Sequence, residues 1–317
     1  MSELEKQLKQ QATQLLKEKK VDCVIGYQQS DDPLMATPCF ISDTDDVDQL
    51  ILNEFCGINL VKYLNGRKGK SAVVMKASDI RSLAILIKEN QVKRENVIVL
   101  AVPSLQPVDH KKIYRYLNGQ EVTSASVDNG IIHVEGDDFK EDLKIEEYLQ
   151  EGIEPRDDID DSLFDIVIGS SEVKVPPRFD DDELIEKLEK MSSEERWEYF
   201  KKQFKKCIRC NACREVCPLC YCKTCFVDQS MPEWFGKGND LTDVMCFHIL
   251  RAMHTTGRCV DCGACVRACP NNINMKILSR KITKDVKELF GDEAGLSAEN
   301  EMSLTTYKEN DPQEFIK

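Results

Sequence analysis

A cysteine pattern that occurs twice between residues 207 and 270 constrains this chain more than any other feature. The first run reads CIRCNACREVCP and the second reads CVDCGACVRACP, with the cysteines equally spaced in both. Both runs fit C-x2-C-x2-C-x3-C-P, a spacing at which thiolates bind [4Fe-4S] clusters in pairs. In such pairs the first three cysteines of a run hold one cluster, and the fourth usually serves the other.

The spacing therefore predicts two sets of four ligands that exchange their last members. Ligand set I is Cys207, Cys210, Cys213 and Cys269, and ligand set II is Cys259, Cys262, Cys265 and Cys217. Pro218 and Pro270 each end a ligand loop, because proline cannot continue a helix or donate an amide hydrogen. The alternative is a pair of zinc sites built from C-x2-C units. Zinc sites do not normally need a third cysteine at the next two-residue gap, which both runs contain.

Four further cysteines lie between the two runs, at Cys220, Cys222, Cys225 and Cys246. Four is the number of thiolates that one more tetrahedral or cubane site requires. Three interpretations stay open for them: a third [4Fe-4S] cluster, a structural zinc ion, or thiols that bind no metal. His248 and His254 flank the second run, and for both we favour a surface or core histidine over a ligand or proton carrier.

Basic residues gather around the first run. They either offset the negative charge of a bound cluster or form a solvated helix face, and both interpretations stay open. The residues are Lys201, Lys202, Lys205, Lys206, Arg209 and Arg214.

The distribution of cysteines also indicates a compartment. Twelve of the 15 cysteines lie between residues 207 and 269, which points to metal binding in the reducing cytoplasm of an anaerobe rather than to disulfides. The N-terminus has no signal-peptide pattern and no stretch approaches about 18 apolar residues, so we expect no membrane insertion. A formal net charge of −13 argues against nucleic-acid binding.

Residues 71–102 carry the clearest signal of regular secondary structure. A buried strand at 71–76, a helix that runs to Gln91 and a strand at 96–102 predict a parallel sheet with a right-handed crossover. Ligands on such sheets tend to bind beyond the carboxyl ends of the strands, here residues 76–81 and 103–106. The G-x-G-x-x-G fingerprint of dinucleotide binding is absent. Residues 121–134 indicate a hairpin around Asn129-Gly130, and the pattern of residues 45–64 favours a helix.

Together these patterns predict an α/β N-terminal domain with a mostly parallel sheet and a mostly helical, ferredoxin-like iron–sulfur domain. We expect the first domain at residues 1–135 and the second at residues 191–290. Residues 136–190 are acidic and less periodic, which indicates a linker or surface excursion. Residues 291–317 form an acidic tail, either an arm against a partner or a disordered segment.

Four segments of the N-terminal half, in order, resemble a known protein family. They are ATPCF at 36–40, NEFCGIN at 53–59, KASDIR at 76–81 and VPS at 102–104. With these segments, residues 1–135 resemble the beta subunits of deazaflavin-dependent hydrogenases and formate dehydrogenases. The cysteine-rich half resembles the ferredoxin-like module attached to bacterial relatives of those subunits. It is also similar to the small iron–sulfur subunit of heterodisulfide reductase.

The resemblance implies a flavin site, expected to hold FAD, at Lys76, Ser78, Asp79 and Arg81. Such a beta subunit exchanges a hydride with a soluble carrier through its flavin and passes single electrons to clusters. The chain departs from the family pattern, with Ala77 and Ser78 in place of Gly-Cys and Ser104 in place of cysteine. Serine is a poor substitute for a thiolate, and the Cβ of Ala77 restricts the close approach of a ligand. The N-terminal half therefore either binds flavin or keeps only the fold.

From these features we predict an iron–sulfur electron-transfer subunit of a cytoplasmic multi-subunit oxidoreductase. The resemblance implies a partner of the formate dehydrogenase, hydrogenase or heterodisulfide-reductase-like flavoprotein type. The alternative is an adapter whose N-terminal half is a cofactor-free docking scaffold and whose clusters serve as an electron wire between enzymes. We identify no catalytic residues, since no acid–base pair, nucleophile set or P-loop is present. Whether the subunit is itself an enzyme, through a flavin, stays open.

Overall fold

The structure, a computed structural model, describes residues 2–150, 159–169, 182–234, 236–299 and 301–305. The chain divides into two compact units. Residues 1–177 and 296–298 form the N-terminal unit, and residues 178–295 and 299–317 form the C-terminal unit. None of the helices in the described part is long and apolar enough to cross a membrane.

A five-stranded sheet forms the centre of the N-terminal unit. Its strands are β1 (Cys23–Gln29), β2 (Ala36–Ile41), β3 (Ser71–Met75), β4 (Val97–Ala101) and β8 (Ile166–Val167), in the spatial order β2-β1-β3-β4-β8. Strands β1, β3, β4 and β8 run parallel to one another, and β2 pairs with β1 in the antiparallel direction. The predicted mixed α/β fold with a mostly parallel sheet is confirmed.

The predicted βαβ unit lies at the middle of this sheet. All five residues of β3, which read SAVVM, are buried, as expected of a parallel strand covered on both faces. Helix α2 (Ala77–Lys88) follows directly and is buried from Ala77 to Leu86 before the chain enters β4. Helix α1 (Glu3–Lys17) begins at Ser2, whose Oγ accepts a hydrogen bond from the Glu5 amide at 3.1 Å.

A second, antiparallel sheet contains β5 (Ser124–Asp128), β6 (Ile131–Glu135) and β7 (Lys140–Lys144). Asn129 and Gly130 connect the first two strands with φ values of 48° and 78°, the geometry that an Asn-Gly hairpin turn requires. The predicted hairpin is therefore present. Helix α3 (His110–Tyr116) contributes Ile113 to the same apolar cluster as Ile132 of β6.

The segment at residues 45–64, predicted to be one helix, forms two short 3₁₀ helices instead. They span Thr44–Gln49 and Leu60–Leu64, and the chain between them turns extended at Leu50. The physical reason is pairing with the sheet, because the Ile51 amide donates a hydrogen bond to the Tyr27 carbonyl at 2.8 Å. The apolar residues of this segment thus reach the core through edge pairing rather than through helical periodicity.

Part of the stretch assigned to a linker, residues 136–190, is regular structure. Strand β7 and strand β8 both lie in it, and β8 pairs with β4 in the main sheet. Residues 151–158 and 170–181 of this stretch lie outside the described residues, as do residues 306–317 of the acidic tail. The domain boundaries stay predictions.

The C-terminal unit forms helices and no strand in its described part. The helices are α4 (Asp182–Lys190), α5 (Ser193–Phe204), α6 (Ala212–Glu215), α7 (Leu241–His254), α8 (Ala264–Arg267) and α9 (Lys276–Phe290). Ser192 and Glu195 form a capping box at the start of α5, with hydrogen bonds of 3.2 and 2.8 Å. Helix α7 packs against α5 and α9, and α6 packs against α8.

Candidate metal centre

The two cysteine loops have the same backbone conformation. We call residues 207–217 loop I and residues 259–269 loop II. Arg209 and Asp261 occupy equivalent positions with φ values of 50° and 58°, and Asn211 and Gly263 follow with 60° and 68°. Arginine rarely adopts the left-handed region, so the repeat of this conformation at Arg209 and Asp261 marks a constraint shared by the two loops.

The two loops place their third cysteines on matching helical turns. After the left-handed residue, loop I enters α6 with Cys213 in its first turn, and loop II enters α8 with Cys265 at the same place. These two short helices pack against each other. Alternation of left- and right-handed residues turns successive amides toward one side, a concavity that suits anions and iron–sulfur sites.

One pocket brings together all four members of ligand set I. Cys207, Cys210, Cys213 and Cys269 line it, although Cys269 lies at the end of loop II. The rest of the lining is Ile208, Arg209, Asn211, Phe247, His248, Pro270, Asn271, Ile273 and Met275. The structure thus brings the fourth cysteine of one loop to the first three of the other, as the spacing predicts for set I.

Backbone amides donate hydrogen bonds to cysteine sulfurs in both loops. The Arg209 amide lies 3.3 Å from Cys207 Sγ, and the Ile273 amide lies 3.4 Å from Cys269 Sγ. In loop II the Asp261 amide makes the equivalent bond to Cys259, where it acts to lower the pKa of the thiol. Such donors stabilise thiolates and tune the reduction potential of a cluster bound to them.

Burial nevertheless keeps these cysteines protonated when they bind no metal. Burial raises the pKa of Cys213 to about 11 and that of Cys262 to about 11. It raises the pKa of Cys259 still further, and neighbouring thiols add to the effect. A metal that binds at these positions must displace the protons, so metal binding and thiol deprotonation are linked.

His248 contacts ligand set I through its ring. Its Nε2 lies 3.3 Å from Cys207 Sγ, and the ring stacks on Phe204 with centroids 5.0 Å apart. Burial lowers the pKa of His248 to about 4, so the ring is neutral and carries a single N–H. Its Nδ1 is buried and has no hydrogen-bond partner in the described part of the chain, which favours the tautomer whose Nε2–H donates to the sulfur. This contact was missed in the sequence, since Cys207 and His248 are distant in the chain.

Arg251, one helical turn after His248 on α7, was also missed. Its side chain is buried, and one terminal nitrogen donates a hydrogen bond to the Cys213 carbonyl at 3.1 Å. Its Nε is buried with no hydrogen-bond partner. The sequence alone does not indicate this buried cation, because its position next to the cysteines depends on how α7 packs in the folded unit.

The eight cysteines of the two sets fit [4Fe-4S] clusters in their donor chemistry. Four thiols of set I converge on one pocket, amides donate to sulfur in both loops, and a buried cation adjoins them. No three His, Cys, Asp or Glu side chains in the described part of the chain lie close enough to hold a single metal ion. Thiolates of a cubane bind four different iron atoms and stand further apart than the ligands of one ion.

The four remaining cysteines differ in their exposure. Cys222 is exposed and the other three are partly buried. The thiol of Cys220 contacts that of Cys217, and Cys225 packs beside Phe226 in the cluster that contains Phe247. A third metal site made of these residues stays a prediction.

In the N-terminal unit, Lys76 forms hydrogen bonds with other residues of the protein. Its Nζ donates to Asp79 Oδ2 at 2.7 Å, to Tyr27 Oη at 2.5 Å and to the Ile58 carbonyl at 2.9 Å. These three hydrogen bonds use all the N–H groups of an ammonium. Ser78 Oγ donates to the other carboxylate oxygen of Asp79 at 3.2 Å.

The other residues of the predicted flavin site are also interior. Lys76 and Asp79 are fully buried, and Ser78 and Arg81 are 4% and 5% exposed. The thiols of Cys39 and Cys56 are buried too, and burial raises their pKa values to about 11 and about 12. The structure therefore gathers Lys76, Ser78 and Asp79 into one network, in which Lys76 has no N–H group left for a ligand.

Comparison with known proteins gives three findings. The family described as "4Fe-4S binding domain" matches residues 254–273, which contain loop II. The chain is 24% identical over 338 residues to the F420-dependent formate dehydrogenase subunit beta of Methanocaldococcus jannaschii, with 87% of this chain and 88% of that protein covered. The resemblance predicted from the sequence is thereby confirmed.

Among solved structures, the chain matches a subunit in the xenon-derivatised F420-reducing [NiFe] hydrogenase complex from Methanosarcina barkeri. The sequence identity is 13% and the TM-score is 0.34, which is too low to indicate a shared fold. The match covers 46% of this chain and 56% of that subunit.

Proposed function

We propose that this chain is an iron–sulfur electron-transfer subunit of a multi-subunit oxidoreductase. The 4Fe-4S binding domain and the similarity to a formate dehydrogenase beta subunit support a redox subunit in general terms. The observation that carries the proposal is the pocket in which Cys269 joins Cys207, Cys210 and Cys213. That exchange of the last cysteine belongs to paired clusters and has no counterpart in a single C-x2-C zinc site.

In this proposal the chain's residues hold two clusters and regulate their charge. Set I and set II supply the eight thiolates, and the amides of Arg209, Asp261 and Ile273 donate hydrogen bonds to three of them. When bound, [4Fe-4S] clusters supply one-electron transfer. Apolar side chains such as Phe247 and Ile273 limit the access of water to set I.

The proposed partners are a formate dehydrogenase or hydrogenase, or a heterodisulfide-reductase-like flavoprotein. The first rests on the name of the relative to which this chain is 24% identical, and the other two rest on the resemblance of the sequence segments. The chain would pass electrons between that partner and a carrier. We place this function in the cytoplasm, since twelve clustered thiols need reducing surroundings.

A second candidate differs in the role of the N-terminal unit, which would be a docking scaffold without flavin. The Lys76 network favours it, because a phosphate or flavin edge would have to displace Asp79, Tyr27 or the Ile58 carbonyl. Breaking a buried ion pair costs about 3–5 kcal/mol. A flavin could still bind this unit away from Lys76, so flavin content separates the two candidates.

The test uses the tagged full chain, purified without oxygen from its own cells together with whatever binds it. Formate, or hydrogen gas in a parallel sample, is added, and reduced [4Fe-4S] clusters are followed by electron paramagnetic resonance. We expect a signal with one of the two reductants that matches the signal produced by dithionite. Clusters that dithionite reduces but neither formate nor hydrogen reduces would rule out the first two partners. Flavin released by denaturation is measured by fluorescence in the same samples.

A further inference from the structure

Arg251 is buried without a carboxylate partner. Only 9% of the residue is exposed, and in the described part of the chain it forms no ion pair. Its terminal nitrogen donates to the neutral Cys213 carbonyl, and its Nε has no hydrogen-bond partner among the residues that the structure describes. An uncompensated buried charge costs several kcal/mol, so a positive group at this place needs a negative one nearby.

The groups that can provide negative charge are cysteines of both ligand sets. Arg251 donates a hydrogen bond to the backbone carbonyl of Cys213 in set I, and Cys265 of set II packs in the same group as Cys213 and Phe247. An arginine guanidinium is not deprotonated in proteins, so Arg251 carries its positive charge at this place.

The position of Arg251 between the sets follows from the packing of three helices. Helices α6 and α8, which carry Cys213 and Cys265, lie against each other. Cys213, Cys265 and Phe247 of α7 belong to one packed group, and Arg251 follows Phe247 by one turn on α7. The guanidinium thus bonds to loop I at a place where cysteines of both loops pack together.

Two other arginines of the unit, Arg214 and Arg280, differ from Arg251 because their charge is paired with carboxylates. Arg214 lies next to Cys213 in the sequence, yet it forms ion pairs of 2.6 Å with Asp228 and 2.9 Å with Glu215. Arg280 lies 3.3 Å from Asp261 of loop II. A paired arginine offsets little of the charge on a nearby cluster, whereas an unpaired buried one offsets much of it.

We propose that Arg251 is a positioning residue that supplies one buried positive charge to both cluster sites. It stabilises the more negative, reduced state of each site and lessens the repulsion between two reduced sites. This inference rests on the proposed function, since it requires clusters at sets I and II.

The test compares variants of the full chain, each purified without oxygen and titrated by redox potential with detection by electron paramagnetic resonance. The variant R251M removes the charge, R251K keeps it, and R214M removes a paired arginine close to Cys213 as a control. We expect R251M to lower the equilibrium constant for reduction of both sites at least tenfold, which is about 59 mV for a one-electron couple. R251K and R214M should each change it less than threefold.

Iron and sulfide content separates the possible outcomes. R251M with the iron content of the unmodified chain and unchanged potentials would overturn the role of Arg251 and leave the proposed function intact. Unmodified protein that binds no iron and sulfide would overturn both.

A second neutral variant, R251Q, serves if R251M fails to bind iron. Loss of iron from R251M and R251Q but not from R251K would support a requirement for the charge itself. Loss from R251K as well would contradict it, because the shape and hydrogen bond of arginine would then be what matters.

Discussion

The sequence predicts a flavin site in the N-terminal unit and cluster sites in the C-terminal unit. The two differ in how many of their buried polar groups have hydrogen-bond partners within the protein. At the N-terminal place, Lys76 uses all its N–H groups within the protein, and both carboxylate oxygens of Asp79 accept hydrogen bonds. At the C-terminal place, four thiols line one pocket, and the Nε–H of the buried Arg251 has no hydrogen-bond partner among the described residues. The first arrangement is complete as it stands, whereas the buried positive charge of Arg251 lacks a negative partner in the described part of the chain.

This difference distinguishes a structural network from a binding site. Buried polar groups in folded proteins nearly always have partners, so unpaired ones that converge on a single place indicate a missing component. Charged residues at the carboxyl end of a parallel strand are common at binding sites, and the same residues can also connect a strand to its neighbours. Lys76 at the end of β3 joins Tyr27 of β1 to Asp79 of α2 in this way.

The largest expected effect tests whether the two ligand sets exchange their last cysteines. The variants C269S and C210S should lose the same cluster signal, and C217S and C262S should lose the other. Each variant should keep about half of the iron, because the second set of four thiolates stays intact. Iron analysis and electron paramagnetic resonance make the comparison. Loss of one signal by both C269S and C262S would show that each loop holds its own cluster.

The next prediction tests whether the hydrogen bonds of Lys76 stabilise the fold rather than serve a ligand. The variant K76M leaves the Asp79 carboxylate buried without its cation, which should lower the free energy of unfolding of the N-terminal unit by about 3–5 kcal/mol. Chemical denaturation followed by circular dichroism measures this change. The double variant K76M/D79L should recover much of the loss, since an apolar pair can replace a buried ion pair. A loss of flavin from K76M without a loss of stability would instead make Lys76 a ligand-binding residue.

A smaller effect concerns the charge beside loop II. Asp261 lies 3.3 Å from Arg280 and 3.6 Å from Lys276, which it partly neutralises. The variant D261N removes the negative charge and leaves the two cations to favour reduction, so the equilibrium constant for reduction at set II should rise about tenfold. Set I, whose first three cysteines lie on loop I, should change less. Redox titration measures both, and a fall at set II would contradict the assigned sign.

The smallest effect concerns the hydrogen bond from His248 to Cys207. Phenylalanine keeps the stacking on Phe204 but cannot donate, so H248F should lower the equilibrium constant for reduction at set I by about threefold to tenfold. Set II should not change. The exposed His254, whose ring contacts Phe226, gives H254F as the matched control. Equal shifts in H248F and H254F would mean that the Cys207 contact is not the cause.

The sequence predicts those features that depend on local spacing. The βαβ unit and the Asn-Gly hairpin follow from short apolar runs and turn residues, and the structure contains both. The eight cysteines are predicted from their spacing in the sequence. The same left-handed residues occur at equivalent positions of both loops, so the spacing goes with one loop conformation. The segment at 45–64 was misassigned because its pairing partner, Tyr27 on β1, is remote in the chain.

Features that depend on tertiary contacts could not be predicted from the spacing of residues in the sequence. The sequence indicates the cations next to loop I, among them Arg214, whose charge proves to be paired with Asp228. It gives no sign of Arg251, which reaches Cys213 through the packing of Phe247 of α7 with Cys213 and Cys265. Likewise, the resemblance of the KASDIR segment predicts a ligand-binding site. Only the fold shows that Lys76 already donates hydrogen bonds to Tyr27 and Asp79.

Native mass spectrometry of the full chain, purified without oxygen, tests the central claim most directly. It weighs the intact protein with whatever it binds, so iron–sulfur clusters, zinc and flavin give different mass increments. The claim that sets I and II hold two clusters predicts an increment of two [4Fe-4S] units, lost one unit at a time in C210S and C262S. Zinc ions in their place, with no inorganic sulfide, would contradict the claim.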